Sequence, residues 1–167
     1  MVARRIKLVV FCVICFLLQG NVAHYFSIRG GVPDFILVFI LTYTYLDDTD
    51  SPDGLIAGTA AGLFRDICYG QITGTSPLLY LAAGGLMIYM KRRLNNESRI
   101  MLFFVTAMAT VLTVMGQWLL YAAFTQTLPD ILRVLLRLPG TLFWNYLLLM
   151  LISHILHRRR RRSRFRV

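Results

Sequence analysis

Three sets of side chains have types and spacings that could do chemistry. Cys12 and Cys15 form a C-x-x-C pair, His154 and His157 stand three residues apart, and carboxylates recur at Asp47, Asp48, Asp50, Asp53 and Asp66. A zinc or redox centre built on the cysteines needs a second ligand pair. None accompanies them, and they sit inside an apolar run, so they read as small core residues. Two histidines alone make no metal site, and beside a basic run they read as headgroup contacts. Metal-assisted group transfer needs several carboxylates converging on the cations. On one helix Asp53 and Asp66 stand roughly 19 Å apart and cannot share a metal. The sequence contains no Gly-rich phosphate loop and no Ser-His-Asp arrangement. It predicts no catalytic residue, no metal and no cofactor.

One departure from that reading needs weighing. Asp50-x-x-Asp53-Gly54-x-x-Ala57 resembles the start of the CDP-alcohol phosphatidyltransferase signature, which belongs to a six-helix family of membrane enzymes. That signature continues with Arg where Gly58 stands, then a longer spacer. Gly62-x-x-x-Asp66 fits its second half, but its final Asp position is Gly70. An enzyme of this kind is kept as an alternative.

The elements that must position these residues follow from composition. Of 167 residues, 57% are hydrophobic and 16% charged, against about 45–50% and about 25% in soluble domains, and mean hydropathy is +0.62. This excludes a disordered chain, and three scattered cysteines exclude a disulfide-stapled domain. The net charge is +10. Seven of the cations are the terminal Arg158, Arg159, Arg160, Arg161, Arg162, Arg164 and Arg166, and without them the balance is +3. A basic tail directly after an apolar run points to anionic lipid headgroups rather than nucleic acid.

Apolar runs predict an all-α integral membrane protein, a six-transmembrane-helix bundle. Its helices are expected at about 6–26, 33–46, 54–69, 75–90, 100–124 and 139–156, forming a single domain over 1–157 with an Arg-rich tail at 158–167. Pro33 suits a first helical position and Asp34 the positive end of a helix dipole. The Lys/Arg bias places both termini in the cytoplasm: 14 cations fall inside and 4 (Arg29, Arg65, Arg133 and Arg137) outside. Arg65 is expected to reach outer headgroups. Asp47–Asp53 forms an acidic inner loop. Pro129–Leu138 reads as an interfacial amphipathic helix on the outer leaflet, with Asp130, Arg133 and Arg137 near one face.

Within the third helix Gly54, Gly58, Gly62, Asp66 and Gly70 recur every four residues, widened by Ala57 and Ala61. Such a strip stays on one face, and small residues let helices approach closely inside lipid. The strip should be buried. Asp66 then either serves a partner, an ion or a proton, or accepts hydrogen bonds from the following turn and pins the third helix to the fourth.

The order of these features resembles the rod shape-determining protein MreD family. The resemblance rests on Pro33-Asp34 opening the second helix, Gly62-Leu63-Phe64-Arg65-Asp66 ending the third, and the turn from Gly70 to Gly74. It continues with the basic loop Lys91-Arg92-Arg93, Pro139 with Trp144-Asn145-Tyr146 in the last helix, and the basic tail. It covers about residues 5–160. It implies a non-catalytic scaffold of the bacterial cell-elongation complex in the cytoplasmic (inner) membrane. The implied partners are MreC and, through it, MreB, the RodA glycosyltransferase and a penicillin-binding transpeptidase. It also implies a bundle similar to the substrate-binding subunits (S-components) of vitamin transporters. A small-solute-binding transporter subunit is therefore a further alternative, although the A-x-x-x-A typical of their first helix is missing here.

Overall fold

Phe35–Leu46 is apolar on every side, and a helix of that kind must be enclosed by others rather than laid on a surface. The computed structural model, which describes residues 2–46, 53–69, 72–93, 99–126 and 130–164, encloses it. Six α-helices lie in the described residues: α1 (Val2–Asn21), α2 (Phe35–Leu46), α3 (Asp53–Tyr69), α4 (Thr75–Arg93), α5 (Arg99–Thr125) and α6 (Ile131–Arg164). α2 touches all five of the others. Ile36, Leu37, Val38, Phe39, Ile40 and Leu41 are all buried. The described residues contain no strand, only an isolated bridge between Ile28 and Gly31.

The other helices bury one face each. α4 does so with Thr75, Ser76, Leu79, Tyr80, Ala83, Gly84 and Met87. α5 uses Met101, Leu102, Val105, Thr106, Ala109, Thr110 and Thr113. These spacings of one, three and four are a helical face. α6 uses a narrower row, Thr141, Asn145, Leu149 and Ser153, one residue every turn. The hydroxyls of Thr106 and Thr113 donate to carbonyls of their own helix, so they lie in the apolar interior at little cost.

Large apolar side chains on the opposite faces point outward, among them Val9, Val13, Phe64, Ile67, Phe104, Leu119 and Leu151. Soluble monomers rarely expose such contiguous apolar surface. Among the described residues, Ile100–Thr125 and Ile131–Ile155 are long and apolar enough to cross a membrane.

Three boundaries differ from the sequence reading. α1 ends at Asn21, and a short 3-10 turn, Ala23–Phe26, follows. α2 begins after Asp34, because the Asp34 side chain caps the helix and leaves Pro33 outside it. α6 does not open at Pro139: it runs continuously from Ile131 with the proline inside. A proline there removes one backbone donor, and helices that cross membranes tolerate this where neighbours and hydroxyls supply other bonds. Pro139 is followed by Gly140, where a Cβ would collide with the Ile28 carbonyl oxygen. The helix therefore passes the turn at Ile28–Gly31 at backbone distance. In that turn Ile28 and Gly31 exchange both hydrogen bonds, at 2.9 and 2.8 Å. Arg29 and Gly30 have φ of 51° and 79°, the paired left-handed geometry of a type I′ turn.

Candidate functional site

Asp34 stands at the head of α2, and polar side chains from the other five helices meet there or one bond away. Its Oδ1 accepts the Leu37 amide at 3.0 Å, and its carbonyl accepts the Val38 amide at 3.0 Å. This is the geometry of a helix N-cap, which satisfies donors that the first turn leaves free.

The remaining capacity of the carboxylate goes to α3 and α4. Arg65 Nη1 lies 3.2 Å from Asp34 Oδ2. The Tyr80 hydroxyl lies 2.9 and 2.8 Å from the two carboxylate oxygens and donates to one at a time. Arg65 Nη1 also donates to the Tyr80 hydroxyl, and its guanidinium sits 5.9 Å from the centre of the Tyr80 ring. The side chains of Arg65 and Asp34 are only 14% and 13% exposed, so both charges are withdrawn from solvent. Burying two charges is tolerable only with this density of hydrogen bonds. Arg65 therefore does not reach outward to headgroups as the sequence suggests: a carboxylate 31 residues earlier draws it in.

α1, α5 and α6 join through amides. Gln19 donates to the Pro33 carbonyl at 3.3 Å and accepts the Phe35 amide at 2.7 Å. Asn145 accepts the Asp34 amide at 2.8 Å and donates to the Thr110 hydroxyl at 3.2 Å. Asn145 is fully buried. One polar network thus draws a side chain from each of the six helices. The sequence reading singled out Asp34 and Asn145 without joining them, and it missed Gln19, Tyr80 and Thr110. A weak signal for Asn145 is the polar spacing Thr141, Asn145 and Ser153 along one face of α6.

Asp66 makes a second clamp a turn away. Its Oδ2 accepts the Gly74 and Ser76 amides, both at 3.0 Å. Gly74 has φ of 102°, open to glycine and strained for other residues, and that conformation aims its amide at the carboxylate. Asp66 and Ser76 are buried, and Asp66 Oδ1 and Ser76 Oγ have no hydrogen-bond partner among the described residues.

The glycine row of α3 lies against α2 and α4. Gly54, Gly58, Ala61 and Gly62 are buried, and Ala57 is half-buried with its carbonyl accepting the Cys12 thiol. A Cβ on Gly54 would strike the Tyr43 ring, and one on Gly58 would strike Ile40. One on Gly62 would sit 2.7 Å from Tyr80 Cδ2. α3 is unbroken from Asp53 to Tyr69, so Asp53 and Asp66 remain at opposite ends of one helix.

The trio Asp130, Arg133 and Arg137 is divided. Asp130 caps α6 through the Leu132 amide at 3.2 Å and pairs with Arg133 at 3.3 Å, both exposed. Arg137 instead lies over Gly30, where a Cβ would come 3.3 Å from its Cγ and Nε. Arg158–Arg162 and Arg164 fall within α6. Gly70, Pro129, Arg166 and the acidic stretch Asp47–Pro52 lie outside the described residues.

A cavity of about 600 Å³ opens beside this network, between the head of α2 and the facing stretches of α5 and α6. Asp34 is taken up in capping and cross-linking, and Asp66 in clamping the turn before α4 through Oδ2. The arrangement ties α3, α4, α5, α6 and the end of α1 to the head of α2. The family model described as rod shape-determining protein MreD matches residues 3–159. No curated protein and no solved structure matches.

Proposed function

The chain belongs to the rod shape-determining protein MreD family, and on that premise we propose that it is a non-catalytic membrane scaffold of the bacterial cell-elongation complex. The family implies a role in determining rod shape. In the finer reading, six helices span the cytoplasmic membrane with both termini inside. MreC is the direct partner, and MreB, RodA and a penicillin-binding transpeptidase are reached through the complex. The Arg-rich end of α6 and the tail beyond it hold anionic lipids of the inner leaflet.

The observation that carries the reading is the family match across the whole bundle. The polar network supports it. A scaffold must present a fixed outer surface, and a hydrogen-bonded cross-link among six helices restricts their relative motion far more than apolar contact does. The orientation rests on the excess of cations, 14 against 4, assigned to the cytoplasmic side.

Depletion of the protein in its host, followed by microscopy, tests the reading. Rods that widen and round into spheres support it, and unchanged shape overturns it. Co-purification of MreC with the tagged protein from detergent-solubilised membranes tests the partner separately.

A further inference from the structure

The cavity beside the network has a chemistry that the scaffold role does not use. It is lined by residues of five helices, α1, α3, α4, α5 and α6, and by the turn before α2, and it contains two cations, Arg65 and Arg137, and one anion, Asp34. Asp34 is already engaged by Arg65, by Tyr80 and by the head of α2. Among the described residues the Arg137 guanidinium makes no hydrogen bond or ion pair, the Arg137 carbonyl alone accepting the Thr141 hydroxyl, and the side-chain amide of Gln117 on the facing wall makes none either. Among the described residues the side-chain hydrogen bonds of Arg65 leave from Nη1, and a guanidinium carries five donors. The unused groups are therefore mostly donors, and the local charge is positive.

The volume, about 600 Å³, falls in the range of about 300–1,000 Å³ found for small-molecule sites. Trp118 and Tyr121 of α5 stand beside the donors, and Val32, Ile72, Val114 and Val134 supply an apolar side. A neutral or cationic ligand would leave Arg137 uncompensated. A phosphate-type oxyanion would take two donors from the guanidinium fork at once, a geometry that matches phosphate closely.

We infer that this cavity binds a phosphate group, with Arg137 as its principal ligand and Gln117 and the free donors of Arg65 completing the site. The same chemistry is offered by the headgroup of an anionic lipid and by a free phosphate. The apolar wall favours the lipid. The inference stands apart from the scaffold reading, since its test asks for binding alone.

The test uses the full chain in nanodiscs of phosphatidylcholine. Phosphatidylglycerol is added in one arm and inorganic phosphate in the other, with binding read by native mass spectrometry and by tryptophan emission. Trp118→Phe identifies the part of the signal that comes from the cavity. Retention of phosphatidylglycerol with a change in Trp118 emission supports the site and assigns the lipid. The same change with inorganic phosphate supports the site and assigns the free anion. Arg137→Gln should weaken binding about tenfold, as expected for losing a charge-assisted hydrogen bond. It should leave the thermal midpoint in place, because Arg137 lies outside the cross-linking network. Gln117→Leu should weaken it less and serves as the second variant if Arg137→Gln does not accumulate. The inference is overturned if neither probe binds, if phosphatidylcholine is retained as well as phosphatidylglycerol, or if a folded variant binds like the unaltered protein.

Discussion

The two halves of α3 are held by different forces. Its first half presses Gly54 and Gly58 onto Tyr43 and Ile40, with no space for a methyl group between them. Its second half carries Arg65 into the Asp34–Tyr80 cluster and Asp66 onto the amides before and within α4. Contact in the first half is chiefly a matter of shape and dispersion, joined by the Cys12 thiol on the Ala57 carbonyl, since an apolar surrounding gives helices little hydrophobic push. Contact in the second half is directional, made by hydrogen bonds from Arg65, Tyr80 and the Gly74 and Ser76 amides to the two carboxylates. The first half should therefore be sensitive to added volume, and the second to removed atoms.

Four substitutions put that difference at risk, the largest effect first. Asp34→Ala removes the acceptor of Arg65 and Tyr80 and the cap of α2 together. It leaves a buried cation unpaired and should cost about 3–5 kcal/mol, measured by chemical unfolding in detergent micelles. An intact protein at normal levels would show that the cluster does not hold the bundle. Gly58→Leu inserts a side chain where Ile40 already lies, and should reach or pass the upper end of the about 1–3 kcal/mol typical of overpacking. Steady-state membrane levels report it, and unchanged levels would mean that α2 and α3 can part without loss. Tyr80→Phe keeps the ring and removes only the hydroxyl. A loss of about 1–2 kcal/mol is expected, and a negligible one would reduce the polar half to packing. Arg133→Ala breaks an exposed pair at the head of α6 and should shift stability by less than about 0.5 kcal/mol, visible as an unmoved thermal midpoint.

The apolar half was the easier to read in advance. Period-four glycines name a face without reference to any other segment, and a run such as Phe35–Leu46 announces a helix with no polar side. The polar half was harder because its meaning lies in pairs far apart in the chain. Arg65 sits beside Asp66 in sequence but turns to Asp34, 31 residues away. Asn145 meets the Asp34 amide across 111 residues. A positive charge near a helix end has two low-energy outcomes, headgroup or buried carboxylate, and only the fold decides between them. Pro139 misled for a related reason. Proline is commonest at a helix start, yet here the α6 backbone from Arg137 to Thr141 packs against the turn at Gly31, and Asn145 beyond it is held by α2 and α5. The lost backbone bond did not end the helix. Asp66 and the Gly74 turn were legible as a unit because donor and acceptor are close in sequence.

The enclosure of α2 bears on how the protein meets the thickness of its membrane. Twelve helical residues reach about 18 Å, well short of a hydrocarbon layer of about 30 Å. A helix of that length facing acyl chains would thin the bilayer around it or tilt its neighbours. With five helices around it, α2 is buried from Ile36 to Thr42 and half-buried at Phe35 and from Tyr43 to Tyr45, so its shortness is largely absorbed within the protein. The helices long and apolar enough to match a bilayer are others, Ile100–Thr125 and Ile131–Ile155 among the described residues. Shortening α2 further would change the interior and leave the surrounding membrane undisturbed, whereas shortening α5 would be felt by the lipid first.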